Sequence, residues 1–226
     1  TLQIFTNASW IPKQKIISRL KQFNKVRISL SIDGTEKVND YTRHLSSWET
    51  VNATAREWLN LSMQYDCFQI KWEPTLSVYN ANHIPEMTQW WIETCMEIRL
   101  NKRGNISFED SLYLEDEGDV NIYFNNVNYP KYLAPNIYPS HEEDYNIEDY
   151  CNLLTEKYYK EGRDRNMLVM KEIKSMIRKG KELINSKPKI KDVIDFKKYH
   201  VILDKRRKKD ISKSLPDLWK KINENA

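Results

Sequence analysis

Polar and apolar residues alternate strictly along segment 26–32, and this alternation predicts a β-strand with one apolar and one polar face. The aliphatic side chains on one face would be Val26, Ile28, Leu30 and Ile32. The polar side chains on the other face would be Arg27, Ser29 and Ser31. The run breaks at Asp33-Gly34, which is a turn signal, and a polar loop is predicted to follow it.

A strand-then-helix unit repeats through the N-terminal part of the chain. Strands are predicted over 2–6, 26–32, 68–78 and 96–101, and helices over 10–23, 47–63 and 84–94. We expect Ser9 to cap the first helix, and Ser46 and Glu49 have the capping-box spacing that begins the second. This alternation predicts parallel strands that are neighbours in sequence order, with right-handed crossovers.

The polar face of the predicted sheet distinguishes between two kinds of α/β fold. Segments 68–73 and 96–101 alternate in the same way as 26–32, whereas strands of a doubly wound sheet are apolar on both faces. We therefore predict helices on one face only, with the polar face lining a cavity, as in an open or partial (β/α) barrel. An ordinary α+β sheet with one solvated face is the alternative.

The pattern divides the chain into three regions. Residues 1–104 form the partial barrel, and 105–140 form short β-like pieces near 106–108 and 120–124 with a proline-marked extended connection. Residues 141–226 are predicted to be mostly helical. Helical patterns in this region cover 147–160, 164–187 and 191–206, and a last short helix begins near Ser214-Leu215-Pro216.

Composition narrows the class of protein. The 226 residues include 40% hydrophobic and 30% charged residues, which suits a packed core in water. No apolar run is long enough for a membrane span, so we expect a cytoplasmic protein without a membrane partner. The net charge of +4 is too weak to indicate nucleic acid, and the basic run 205–209 lacks an aromatic platform.

Three cysteines, Cys67, Cys95 and Cys151, are widely separated in the sequence. Their spacing matches no metal-binding motif, so we predict no metal site from this chain alone. An odd, scattered set also argues against a disulfide scaffold and for a reducing compartment. The chain begins at Thr1 directly with a strand-like run, and we expect this to be a cut end.

Candidate chemistry concentrates where the predicted strands end. In barrels of parallel strands, active sites lie at the carboxyl ends of the strands. All four of these ends are polar here: Thr6-Asn7, 31–34, 73–80 and 99–101. The polar residues at a single strand end commonly do no more than hydrogen-bond the backbone groups of the loop. Four polar strand ends on neighbouring strands, however, indicate a binding site.

Segments of these ends, in their order and spacing, resemble the radical S-adenosylmethionine (radical SAM) enzymes, in particular the branch with a short C-terminal "twitch" extension. The segments are Thr6-Asn7-Ala8-Ser9, Ser31-Ile32-Asp33-Gly34, Asn39-Asp40-Tyr41-Thr42-Arg43, Trp48-Glu49-x-Val51 and Thr75-Leu76-Ser77-Val78-Tyr79-Asn80. Two later segments also resemble this branch: Asn125-x-Val127-x-x-Pro130 and Leu203-Asp204-x-x-Arg207. The resemblance is strong over 1–80 and looser after 105.

The resemblance implies a partial barrel of six βα units, of which this chain holds the third to the sixth. In the family, the first unit carries Cys-x-x-x-Cys-x-x-Cys, whose thiolates hold a [4Fe–4S] cluster, and the second carries a Gly-Gly-Glu-Pro segment for the amino group of S-adenosylmethionine. Neither segment is present in this chain. The chain therefore resembles the C-terminal part of such an enzyme, and alone it is expected to be inactive.

The resemblance also implies roles for individual residues. Ser31 matches the residue that hydrogen-bonds S-adenosylmethionine, and Arg43 matches the arginine that meets its carboxylate. An ion pair of Arg43 with Asp40 or with a neighbouring helix is the alternative. The further cofactor-side candidates are Thr6, Asn7 and Asp33. The weaker substrate-side candidates are Lys71, Ser77 and Asn80. No catalytic residue is assigned.

The implied activity is reductive cleavage of S-adenosylmethionine at the cluster, followed by hydrogen abstraction from a substrate in the barrel. The implied partners are an electron donor and a small-molecule or peptide substrate whose identity the sequence does not give. Two other classes remain as alternatives. One is a non-catalytic α/β module that binds a ligand or protein on its polar face, and the other is a nucleic-acid-processing protein.

Overall fold

The computed structural model describes residues 1–103, 124–138, 178, 182 and 188–224. Three strands form a parallel sheet in the order β1-β2-β3, with β1 at Leu2–Thr6, β2 at Val26–Leu30 and β3 at Phe68–Trp72. The register aligns Leu2 with Val26 and Val26 with Phe68. This confirms the predicted order and direction of the first three strands.

Four helices connect and follow these strands. They are α1 at Gln14–Leu20, α2 at Glu36–Thr42, α3 at Trp48–Gln64 and α4 at Ile84–Arg103. Helix α3 confirms the predicted 47–63, whereas α1 is shorter than the predicted 10–23. Helix α2 lies where a polar loop was predicted, because Asn39 and Tyr41 are buried on its inner side. Burial of these two side chains outweighs the polar composition of the segment.

The prediction of a strand at 96–101 is wrong, because these residues continue α4 to Arg103. Side chains at helical spacing along α4 are buried: Ile84, Met87, Thr88, Trp91, Ile92, Cys95 and Ile98. A pattern of six residues is too short to distinguish the two-residue period of a strand from the 3.6-residue period of a helix. The helical repeat becomes clear only over the longer length of α4. Arg56 of α3 also makes an ion pair of 2.9 Å with Glu97 in this part of α4.

Both predicted caps differ in detail from the structure. The residue before α1 is Lys13, and the Ser9 hydroxyl instead donates to Asn7 Oδ1 at 2.7 Å. For α3 the cap is Ser47, whose side-chain oxygen accepts from the Thr50 N–H at 3.3 Å. The capping residue is therefore one position later than predicted, which is within the usual uncertainty of helix boundaries.

The remaining elements lie beside this core. Strands β4 at Thr75–Leu76 and β5 at Asn125–Asn126 form a short parallel pair, and single 3₁₀ turns occur at Ala81–His83, Lys131–Leu133 and Pro135–Ile137. The C-terminal helices are α5 at Ile190–Arg207, α6 at Ile211–Ser214 and α7 at Pro216–Glu224. Helix α5 confirms the pattern at 191–206. The patterns predicted at 106–108, 147–160 and most of 120–124 and 164–187 lie outside the described residues.

The sheet separates an apolar core from a polar face, as the alternation predicted. Val26, Ile28 and Leu30 of β2 are fully buried in the core. On the polar face, the Ser29 hydroxyl donates to Glu73 Oε1 at 3.1 Å. The described part of the chain is thus a mixed α/β fold with small parallel sheets, and its strands do not close into a barrel. None of its helices is long and apolar enough to cross a membrane.

Strand β1 is at the edge of the described sheet, and large apolar side chains near it are exposed. Phe5 is 65% exposed, and Trp10 and Phe23 are 49% and 45% exposed. An open edge beside apolar surface is a template for pairing with another chain. We therefore predict that this chain alone associates in solution, as light scattering would measure.

A charge on the edge strand provides the control for this prediction. Phe5→Lys should reduce the association, because a lysine on an edge strand opposes edge-to-edge pairing. Lys13→Gln, on an exposed residue away from β1, should leave the association unchanged. A monodisperse parent chain that melts cooperatively as a monomer would contradict the prediction and favour the binding-module alternative.

Candidate functional site

A cluster of polar side chains forms where β2 ends, and Arg43 is at its centre. The Arg43 Nη2 group donates to the Ser31 carbonyl at 3.2 Å and to the Ser31 hydroxyl oxygen at 3.1 Å. The same nitrogen makes a short ion pair with Asp33 Oδ2. The structure thus brings together three of the predicted cofactor-side residues, and the partner of Arg43 is Asp33 rather than Asp40.

Helix α2 sets the position of Arg43. The helix begins just after the turn at Gly34 and ends at Thr42, so that Arg43 is its C-terminal cap and its N–H donates to the Asn39 carbonyl at 2.8 Å. A Cβ at Gly34 would lie 2.5 Å from Val38 Cγ1. Only glycine therefore lets the turn lie this close to α2. This close contact keeps α2, and with it Arg43, beside the end of β2.

Asp33 connects this cluster to the loop after β3. Its Oδ1 accepts from the Thr75 N–H at 2.8 Å, and its carbonyl accepts from the Asn80 side-chain amide at 2.6 Å. Asn80 is fully buried, and its Oδ1 accepts from the Ser77 N–H at 2.7 Å. Asn80 and Ser77, predicted as substrate-side candidates, therefore hold two strand ends together.

Part of the Arg43 guanidinium makes no hydrogen bond with the residues that the structure describes. All three of its hydrogen bonds use Nη2, and among the described residues none accepts from Nε or Nη1. The Arg43 side chain is 31% exposed. The Nε–H and Nη1–H groups lie on different edges of the guanidinium, so each can donate a separate hydrogen bond to a carboxylate or phosphate.

The other predicted residues lie around this cluster. The Thr6 carbonyl accepts from the Ser31 N–H at 2.8 Å, which places the end of β1 beside the cluster. The Thr6 hydroxyl oxygen accepts from the Ala8 N–H at 3.2 Å, and Asn7 is exposed in the turn that follows. Lys71 aligns with Ser29 in the sheet register, on the polar face before the cluster.

His83 was not among the predicted site residues, yet it holds the loop between Asp33 and α2. Its Nε2 lies 2.7 Å from the Thr35 hydroxyl oxygen and 3.4 Å from the Thr35 N. Burial lowers the pKa of the His83 imidazole from 6.5 to about 4, so the ring is neutral at pH 7 and its Nε2 accepts both Thr35 donors. No sequence motif marks His83, because only packing makes its ring an acceptor.

The cysteines of the described region do not form a cluster-binding set. Cys67 is half-buried at the start of β3, Cys95 is buried in α4, and Cys151 lies outside the described residues. Within those residues, no group of three or more histidine, cysteine, aspartate or glutamate side chains is placed to hold a metal ion.

Comparisons with known proteins found no relative of this chain. No protein-family model matches it, and no curated protein or solved structure matches it either.

Proposed function

We propose that this chain supplies the S-adenosylmethionine-binding part of a radical SAM enzyme, with its three parallel strands forming part of an open (β/α) barrel. The observation that carries the proposal is Arg43 at the carboxyl end of β2, with Nε and Nη1 available to a ligand. In parallel α/β sheets, ligands bind at the carboxyl ends of the strands. The order of the sequence segments adds independent support.

The chemistry of the cluster suits the amino-acid end of S-adenosylmethionine. The ligand carboxylate would accept a charge-assisted hydrogen bond from one of the two free nitrogens of Arg43, Nε or Nη1, while Nη2 stays with Asp33 and Ser31. The Ser31 hydroxyl oxygen accepts from Arg43, so its proton can be donated to the ligand. Because Asp33 pairs with Arg43, the guanidinium is held in place before the ligand binds.

The [4Fe–4S] cluster of such an enzyme does not fit the cysteines of this chain. A cluster with one open iron needs three thiolates at one place. Cys67 and Cys95 lie in different elements with different burial, and their sequence spacing is wrong. In the proposed enzyme the cluster ligands come from outside this chain, and the proposal includes an electron donor and a small-molecule or peptide substrate.

Two ligands that differ only in the carboxylate test the proposal. Calorimetric titration should show that S-adenosylmethionine binds to the chain more tightly than its decarboxylated analogue, because only the former offers a partner to Arg43. Equal affinity, or no binding of either ligand, would count against the proposal and favour the non-catalytic binding module. A Cys-x-x-x-Cys-x-x-Cys segment encoded upstream of Thr1 would support the proposed enzyme.

The same proposal predicts the result of anaerobic reconstitution with iron and sulfide. This chain alone should hold no stoichiometric cluster, because its three cysteines lack the sequence spacing of a motif that supplies three thiolate ligands. Absorption spectra would test this, and Cys67→Ser and Cys95→Ser should match the parent chain. A stoichiometric broad band near about 400 nm, where thiolate-held clusters absorb, would contradict the prediction.

A further inference from the structure

The end of α2 that carries Arg43 is bound by residues far away in the sequence. The Arg207 Nη1 group donates to the Tyr41 carbonyl at 3.3 Å, and Lys209 Nζ makes a short hydrogen bond to the Asp40 carbonyl. Carbonyls in the last turn of a helix lack helical partners, and positive charge is favourable there. Two cations thus cap the turn that leads directly into Arg43.

Asp204 also binds the last turn of α2, through the side chain of Tyr41. Its Oδ1 accepts from the Tyr41 hydroxyl at 2.8 Å, and its Oδ2 accepts from the Ile211 N–H at 2.7 Å. Tyr41 is 1% exposed. Burial raises the pKa of the Tyr41 phenol well above its ordinary value and Asp204 raises it further, so the hydroxyl stays protonated and donates.

These contacts form one unit, which we call the α2 clamp: Asp204, Arg207 and Lys209. The clamp lies at the end of α5 and the start of α6, and α6 packs against α2. A cavity of about 290 Å³ adjoins the clamp and is lined by Asp204, Lys209, Ile211 and Trp219. Packing therefore surrounds the clamp only in part.

We propose that the α2 clamp positions Arg43 for the ligand carboxylate. Arg43 is the first residue after α2, and its guanidinium must be placed and oriented closely to direct a free N–H group at a carboxylate. Asp204, Arg207 and Lys209 are positioning residues and do not touch the ligand. The inference rests on the proposed function, since it concerns how the same arginine is made ready to bind.

The test uses this chain and two readouts. One readout is the ¹⁵N–¹H signal of Arg43 Nε, which Arg43→Lys identifies by its loss. The other is calorimetric titration with S-adenosylmethionine. The variants are Arg207→Met and Lys209→Met, with Lys209→Arg as the conservative replacement. Lys205→Met is the matched control, because Lys205 belongs to the same basic run, is exposed and makes no hydrogen bond or ion pair with α2.

We expect Arg207→Met and Lys209→Met to shift the Arg43 signal and to weaken S-adenosylmethionine binding about threefold to tenfold, the loss that one hydrogen bond implies. Lys209→Arg should restore both readouts, and Lys205→Met should change neither. If a clamp variant does not melt cooperatively, Tyr41→Phe replaces it, because this change removes only the hydroxyl that binds Asp204 and keeps the buried ring.

The outcomes separate this inference from the proposed function. Folded clamp variants with an unchanged Arg43 signal and unchanged affinity would overturn the inference. If the signal shifts while S-adenosylmethionine binds neither the parent nor the variants, the proposed ligand is wrong, and the clamp still positions Arg43. If Arg43→Ala weakens binding but the clamp variants do not, only the inference fails.

Discussion

Replacing Arg43 with alanine should weaken S-adenosylmethionine binding by about 2–3 kcal/mol, because the ligand carboxylate loses its charged partner. Ser31→Ala should cost about 1 kcal/mol, the usual contribution of a single hydrogen bond. Arg43→Lys should fall between the parent chain and Arg43→Ala, since a lysine keeps the charge but not the fork. Calorimetric titration of the three variants measures these differences.

The decarboxylated analogue turns this prediction into a double-mutant cycle. In the parent chain, the carboxylate should contribute to affinity, whereas in Arg43→Ala the two ligands should bind equally. Arg19→Ala, on the exposed surface of α1, is the control and should leave both affinities unchanged. If S-adenosylmethionine binds Arg43→Ala as tightly as the parent chain, Arg43 is not part of the site.

Acidification from pH 6.5 to 4 should destabilise the protein by up to about 3 kcal/mol through His83 alone. Burial lowers the pKa of His83 to about 4, whereas the unfolded chain binds a proton near 6.5. In this interval the unfolded state therefore carries more protons, and stability is lost as the pH falls. Above pH 6.5 both states are neutral at this ring, and the dependence on His83 disappears.

Denaturant unfolding of the parent and His83→Gln across this pH range isolates the effect. Glutamine cannot titrate, so the free energy of unfolding of the variant should depend less on pH between 4 and 6.5. Burial also lowers the pKa of His200, so only the difference between the two proteins is assigned to His83. The His83 ring signals should shift with a midpoint near pH 4 in an NMR titration, and a midpoint at 6.5 would refute the prediction.

The two predictions test different parts of one arrangement. Arg43 and Ser31 are expected to touch the ligand, whereas His83 holds Thr35 and so the loop that carries Asp33. A change at His83 should therefore act on stability first. The α2 clamp binds the other end of this helix, and there it is proposed to orient the Arg43 guanidinium.

Several features of the candidate site follow from the sequence, because they depend on local patterns. The alternation in 26–32 determines which side chains of β2 enter the apolar core, and the strand-helix spacing determines the parallel order β1-β2-β3. Once the strands are parallel and adjacent, their carboxyl ends share one edge of the sheet. Ser31, Asp33 and Asn80 therefore come together as predicted.

Other features depend on contacts between residues that are far apart in the chain. The run 96–101 fits two periodicities, and only packing of α4 along its whole length makes it a helix. Neither α2 nor its clamp could be found from local pattern, because Tyr41 meets Asp204 across 163 positions of sequence. The same holds for His83, whose role follows from desolvation of its ring in the folded protein.

The sequence by itself thus determined the first three strands, their direction and the polar ends at which the candidate site lies. The tertiary structure decided which of these side chains pair with each other, which nitrogens of Arg43 remain for a ligand, and which distant residues hold the arginine in place. The physical reason is that alternation and turn signals act between neighbours in sequence. Burial and long-range hydrogen bonds exist only once the elements have packed.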